Sequence, residues 1–269
     1  MKRATHYLLF FLLLSSVALG KYISMTTTMN NVFMLENLTS VNVSVMNSGD
    51  EAAYNVKISP ILPRGFKADE IFVGTLEPNT RVEFKMNVSL IAPAKRGTYT
   101  MGILTYYEDA NGYPFSSISP NYLIYKEAGS PRIFGRMEHA KLTEEGSTVL
   151  KLKLLNKDSR EHEIKVTLFL PNELIADAEN KTMLLPPYSE RVAEFRVSNF
   201  GALAGSTYVV FASLDYEDNE THYSRFVTAL ITVEREERSS LLIAIAVVLC
   251  IVLVGVNIVY KFRRGGERK

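Results

Sequence analysis

Cysteine is almost missing from this chain: the only one among 269 residues is Cys250. The rest of the protein must therefore hold together without disulfides, on hydrophobic cores large enough to do without staples. This excludes a small disulfide-bonded secreted scaffold and the inter-sheet cystine of antibody domains. An excess of charge is missing too. With a net charge of +1 and 22% charged residues there is no basic field to gather nucleic acid, so no nucleic-acid partner is expected. Catalytic motifs are equally scarce, with no Gly-rich phosphate loop and no Ser set between glycines in a nucleophile elbow. Of the four histidines, His6 lies near the N-terminus and His139, His162 and His222 are scattered. Glu161-His162-Glu163 lacks the second His four residues on that a zinc helix needs, and His162 is expected to be an exposed strand residue. No pair of carboxylates is marked out by its spacing. The expectation is a non-enzymatic protein with no catalytic residue, cofactor or metal.

What the chain does have is apolar residues, 47% of the total, concentrated in two terminal runs. After Lys2 and Arg3, the stretch Leu8 to Leu14 is almost wholly Leu and Phe, and Ser15-Ser16 leads into Ala18-Leu19-Gly20. A basic start, a short apolar run and small residues make a secretory signal over residues 1–20, expected to be cleaved after Gly20, with an uncleaved signal anchor as the alternative. The second run, Leu241 to Tyr260, carries no charge. At 1.5 Å per residue, ~20 such residues match a ~30 Å hydrocarbon core, so residues 239–260 are expected to form a transmembrane helix. Lys261, Arg263, Arg264, Arg268 and Lys269 follow it, which places residues 261–269 in the cytoplasm and the N-terminal bulk outside. Cys250 falls mid-span, where a thiol stays protonated. Asn257 lies in the last turns, near the headgroups.

The bulk of the chain repeats itself with a period of about 109 residues, which indicates duplicated whole domains rather than solenoid turns. Thr98-Tyr99 and Tyr107-Glu108-Asp109 recur as Thr207-Tyr208 and Tyr216-Glu217-Asp218, with Gly97 and Gly205 just ahead. The polar turn Asn47-Ser48-Gly49-Asp50 answers to Asn156-Lys157-Asp158-Ser159. Leu62-Pro63 answers to Leu170-Pro171, and Leu76-Glu77-Pro78-Asn79 to Leu185-Pro186-Pro187-Tyr188. Within each copy Val41, Val43 and Val45, or Leu150, Leu152 and Leu154, alternate with polar residues, the period of a half-buried antiparallel strand. About seven short strands per copy, separated by Gly, Pro and Asn turns, predict two Ig-like β-sandwiches, residues 21–128 and 129–236. The joint Ala128-Gly129-Ser130-Pro131 is short, so the two are expected to stack with little freedom. Domains roughly 35 Å long would then reach about 70 Å from the bilayer.

Five sequons stand outside the apolar runs, at Asn37, Asn42, Asn87, Asn180 and Asn219. Strand alternation turns Asn42 and Asn87 outward, where a glycan meets no core. Asp109-Ala110-Asn111-Gly112 resembles the opening of a calcium loop but lacks the closing Glu, and Asn-Gly between strands reads as a hairpin turn. The repeated Tyr is expected to pack inward with solvated carboxylates beside it. Phe66, Ile71, Phe72, Tyr113 and Phe115, with Leu174, Ile175, Met183 and Leu184, are expected to plug the sandwich ends, or else to form a partner-binding patch.

From Asn47-Ser48-Gly49 to Leu62-Pro63, and through Gly97-Thr98-Tyr99 to Tyr107-Glu108-Asp109-Ala110-Asn111-Gly112, the chain resembles the Ig-like repeats of prokaryotic, chiefly archaeal, cell-surface proteins. These are the CARDB-like and S-layer-associated sandwiches, which often stand in tandem before a C-terminal membrane anchor. The second copy departs from the pattern, with Asn219-Glu220-Thr221 in place of the Asn-Gly turn. A weaker likeness, to the luminal domain of the translocon-associated protein β subunit, is opposed by the duplication. The resemblance implies an all-β, single-pass protein of the cell envelope that serves adhesion, spacing or scaffolding with a protein or glycan partner. The alternative is an accessory subunit of a membrane transport or secretion complex, bound to a polytopic partner.

Overall fold

A computed structural model describes residues 22–235, together with Ile245 and Val248, which are helical. Apart from those two, the expected signal (1–20), apolar span (239–260) and basic tail (261–269) lie outside the described residues. Among the described residues no helix is long and apolar enough to cross a membrane.

Residues 22–235 are all-β. The first copy contributes β1 (Met25–Met29), β2 (Val32–Met34), β3 (Leu38–Asn47), β4 (Ala53–Ile61), β5 (Phe66–Ala68), β6 (Ile71–Leu76), β7 (Thr80–Leu90), β8 (Arg96–Glu108) and β9 (Pro114–Tyr125). The second contributes β10 (Ile133–Met137), β11 (Ala140–Thr143), β12 (Ser147–Asn156), β13 (His162–Phe169), β14 (Leu174–Ala176), β15 (Asn180–Leu185), β16 (Glu190–Asn199), β17 (Thr207–Asp218) and β18 (Thr221–Glu234).

The two sets pair alike. The sheet β1-β3-β7-β5 has its twin in β10-β12-β16-β14, and the ladder through β6, β4, β8 and β9 has its twin in β15, β13, β17 and β18. Even the short parallel pair of β2 with β9 recurs as β11 with β18. Each copy closes its sheets over a core in the manner of a β-sandwich. In the first, Val41, Val43, Val45, Met86 and Val88 face Val56, Ile58, Met101, Ile103 and Leu123; in the second, Leu150, Leu152, Leu154, Phe195 and Val197 face Ile164, Val166, Val210, Leu214 and Ile231. Each large side chain so buried contributes about 1.5–3 kcal/mol of transfer free energy. That replaces the missing disulfides.

A buried asparagine marks both copies. Asn47 Nδ2 donates to the carbonyls of Glu51 (2.7 Å) and Leu76 (3.1 Å), and Asn156 Nδ2 to those of Arg160 (2.8 Å) and Leu185 (3.1 Å). Their Oδ1 atoms accept from Gly49 N (3.0 Å) and Asp158 N (2.8 Å). An amide supplies two donors and an acceptor to backbone that the turn would otherwise leave unpaired, which explains why the same residue begins the turn twice.

The copies lie side by side, not end to end. β4 pairs with β8 only from Gly102 onward and leaves the start of β8 open; β18 fills that edge, Thr221 opposite Arg96 and His222 opposite Gly97, in parallel. Because β18 runs with β8 and β17 runs against β18, the counterpart strands β8 and β17 point in opposite directions. Past this short ladder the outer faces pack together. Gly102 and Phe211, which stand at equivalent places after Thr98 and Thr207, meet so closely that a Cβ on Gly102 would lie 2.9 Å from Phe211 Cζ. β8 and β17 are consequently buried on both faces through their middles. The copies thus meet along strands rather than tip to tip through the Ala128-Gly129-Ser130-Pro131 joint.

Candidate functional site

The junction has two unlike ends, and the difference begins with a single position. In the first copy Gly65 O accepts from Ile91 N (2.8 Å) and Ala92 N (3.3 Å); in the second Glu173 O accepts from Phe200 N (2.9 Å) and Gly201 N (3.2 Å). Gly65 and Glu173 are therefore counterparts. Gly65 has φ +95, where a side chain is strained.

At the Glu173 end the junction is sealed. Glu173 is 5% exposed and its carboxylate accepts from both the N–H and the hydroxyl of Ser116, the latter at 2.6 Å. Ser116 Oγ in turn accepts from Asn172 N at 2.8 Å, and Tyr113 donates its hydroxyl to Gly201 O at 2.8 Å. Burial raises the Glu173 pKa against the lowering effect of the Ser116 hydrogen bonds. Burial, with the nearby Glu173 charge, also pushes the Tyr208 phenol up to about 12.

At the Gly65 end an open cleft of about 720 Å³ separates the copies. The first copy lines it with Arg64, Gly65, Lys95 and Tyr99, and the second with Lys165, Ser213, Asp215, Glu217 and His222. His222 stacks on Tyr99 with ring centroids 3.9 Å apart. Its Nε2 lies 3.5 Å from Asp215 Oδ1 and its Nδ1 3.8 Å from Glu217 Oε1, yet Nε2 is buried without a hydrogen bond. Lys95 Nζ spans the mouth to Glu217 Oε2 at 2.5 Å. Burial, with Glu217 adding to it, pushes the Tyr99 phenol up to about 12. Beneath the cleft, Thr100 N donates to Ser224 Oγ at 3.0 Å and the two hydroxyls are 2.6 Å apart.

Ser213, Asp215 and His222 have the composition of a nucleophilic triad but not its connectivity. Ser213 donates its hydroxyl to Asp215, and the imidazole lies on the far side of that carboxylate. Activation of a serine requires the base to take the hydroxyl proton, so His must stand between Ser and Asp. Here the hydroxyl proton goes to the carboxylate, not to the imidazole.

The remaining expected residues distribute as follows. Asn37, Asn42, Asn87, Asn180 and Asn219 are all exposed, on strands or turns of both copies. Asp109 closes the β8–β9 turn, its Oδ1 accepting from Asn111 N and Tyr113 N at 2.8 Å each; those bonds, Tyr113 first, lower its pKa. Phe66 and Leu174 do enter the cores, whereas Phe72, Ile175 and Leu184 are 70%, 52% and 55% exposed. His162 corrects the reading of it as an exposed strand residue. It is 7% exposed, with Nε2 2.8 Å from Asp158 Oδ2, and its bond is the first cause of the lowered Asp158 pKa. Alternation carried the signal, because His162 is in phase with Ile164, Val166 and Leu168 on the buried face of β13. For the cleft, no signal in the spacing joins Arg64 and Lys95 to Asp215 and His222.

No family model matches the chain. No curated protein matches it either. Among solved structures, the crystal structure of a protein of unknown function from Porphyromonas gingivalis W83 is similar at 12% identity, over 78% of this chain and 99% of that one, with a TM-score of 0.33. The native conformation of E. coli alpha-2-macroglobulin is similar at 8% identity, over 79% of this chain and 17% of that one, with a TM-score of 0.31. Likenesses at these scores carry no functional inference.

Proposed function

We propose that this is an exported, non-enzymatic protein of the cell envelope, held by one membrane span over residues 239–260, whose two Ig-like sandwiches act as a single rigid body for adhesion, spacing or scaffolding. The observation that carries the reading is the junction. Strand pairing at β8 and β18, the Thr100–Ser224 and Ser116–Glu173 hydrogen bonds and the Gly102–Phe211 contact bind the copies along their flanks, a geometry suited to presenting a fixed surface. The exposure of all five sequons supports a glycan-bearing exterior.

A second reading, an accessory subunit bound to a polytopic membrane protein, draws on one further feature. At the pole around the start of β3, Phe33, Leu35, Leu38 and Ile91 are 64%, 76%, 64% and 64% exposed. Apolar clusters of this kind mark protein contacts.

Light crosslinking of the tagged protein in its native membranes, extraction in mild detergent and mass spectrometry of what co-purifies separates the two. Recovery of self, glycan-bearing species or surface components fits the envelope reading. One polytopic protein in near-equal amount overturns it in favour of the subunit.

A further inference from the structure

Of the seven residues between β16 and β17, the first six, Phe200-Gly201-Ala202-Leu203-Ala204-Gly205, carry neither a charge nor a hydrogen-bonding side chain, and Ser206 closes the loop. Phe200 is 76% and Leu203 42% exposed. This exposure is not slackness, because the loop is tied at every turn. Asn199 Oδ1 accepts from Gly201 N (2.9 Å) and Ala202 N (2.6 Å), while its Nδ2 donates to Glu144 O and Ala202 O at 2.8 Å each. Tyr113 of the other copy holds Gly201 O, and Ala202 packs inward at 5% exposed. A rigid loop that turns a Phe and a Leu outward has a surface to meet.

The position of the loop says which. Gly205 N donates to Val233 O (2.7 Å) and Val233 N to Ser206 O (2.9 Å), so the loop borders the place where the chain leaves its last strand at Glu234 and Arg235. The charge-free run begins at Leu241. At no more than ~3.6 Å per residue, the stretch from Arg235 to Leu241 spans at most about 20 Å, so the end of β18 beside the loop lies within that distance of the charge-free run. Its counterpart in the first copy begins at Ile91, itself 64% exposed, and runs through Ala92, Pro93 and Ala94 to Lys95. Because the copies run oppositely, that segment faces the far end of the molecule.

We infer that the loop Phe200–Gly205 inserts its Phe and Leu side chains into the headgroup layer of the membrane that anchors the chain, and so sets the tilt of the rigid body on the bilayer. Aromatic and leucine side chains on a fixed backbone partition into that layer at little entropic cost, since the loop is ordered beforehand. The inference rests on the proposed membrane anchor.

The chain contains no tryptophan, so a single substitution creates a unique fluorophore. Phe200→Trp, Leu203→Trp and Ile91→Trp variants of the full chain are reconstituted into phosphatidylcholine vesicles containing one-fifth phosphatidylglycerol, with and without lipids brominated near the headgroup. Alkaline carbonate extraction is run on the same preparations. The expected result is a blue-shifted emission at positions 200 and 203, quenched several-fold more strongly than that at position 91. Equal, weak quenching at all three positions in a protein that resists carbonate overturns the inference and leaves the anchor standing. Release by carbonate overturns the anchor, and the inference with it.

Discussion

Glu173 and Gly65 hold the same backbone place in two copies that otherwise pair strand for strand, yet one seals the junction and the other leaves a cleft of about 720 Å³. The sealed end stores a buried carboxylate between Ser116 donors; the open end gathers Lys95, Asp215, Glu217 and His222 around space. The two ends share a backbone hydrogen-bonding pattern, but where one carries a buried carboxylate the other has a glycine at positive φ. An inverted pair of like folds offers two counterpart junction ends, and here the copies are joined at both, at one through a buried carboxylate and at the other through the β8–β18 ladder and the Thr100–Ser224 hydrogen bonds beside an open cleft.

The comparison breaks most severely at its centre. Phe211→Ala removes a fully buried ring that stacks on Phe169 at 4.6 Å and abuts Gly102. A loss of about 3–5 kcal/mol is expected, with denaturant unfolding splitting into separate transitions for the two copies. Next comes a paired test on glycines. A Cβ on Gly97, at φ +140, would lie 1.9 Å from His222 O, whereas a Cβ on Gly205, at φ +89, meets nothing within 4 Å. Gly97→Ala should cost about 3 kcal/mol and expose the amides of the β8–β18 ladder to hydrogen exchange. Gly205→Ala should cost only the roughly 1 kcal/mol of a strained φ.

At the sealed end, Glu173→Ala should lose about 2 kcal/mol by leaving the Ser116 donors unpaired. Its conservative partner sharpens the point through pH. Burial raises the folded pKa of Glu173 above the value of 4.5 expected for an exposed glutamate. The stability this group contributes is therefore fully present below that value and is lost as pH rises through the folded one. Glu173→Gln, neutral throughout, should match the parent melting temperature at pH 4 and exceed it at pH 7. An equal difference at both pH values would show that the carboxylate is not desolvated. The smallest effect belongs to the open end. Lys95→Ala removes an exposed ion pair to Glu217 and should leave the melting temperature unchanged, while making the cleft more negative to any charged probe.

Much of this architecture is legible in residue order. Alternation of Val41, Val43 and Val45, and of Leu150, Leu152 and Leu154, marks the inner faces of β3 and β12, and all six are buried. The recurrence of Tyr107 and Tyr216 marks counterpart strands that do occupy the same place in their sheets. The burial of His162 is legible by the same alternation, since it is in phase with Ile164, Val166 and Leu168. The cleft was not legible, since its residues come from strands and loops with no sequence signal between them.

By itself, then, the sequence determined the long strands, their inner faces and their duplication, because a two-residue period and a core of branched side chains are local consequences of residue order. About seven strands are expected per copy and nine form, the short ones having too few residues to show a period. Only the tertiary structure decided that the copies lie inverted and side by side. Around Phe211, the outer faces that meet carry Thr98, Thr100, Gly102, Ser116, Ser213 and Ser224, small and mostly hydroxylated residues that read as solvent-facing along each strand. Their size lets two sheets approach, and their hydroxyls pair across the gap or within it. Burial of that kind is a property of two surfaces together, and it leaves no period in either one.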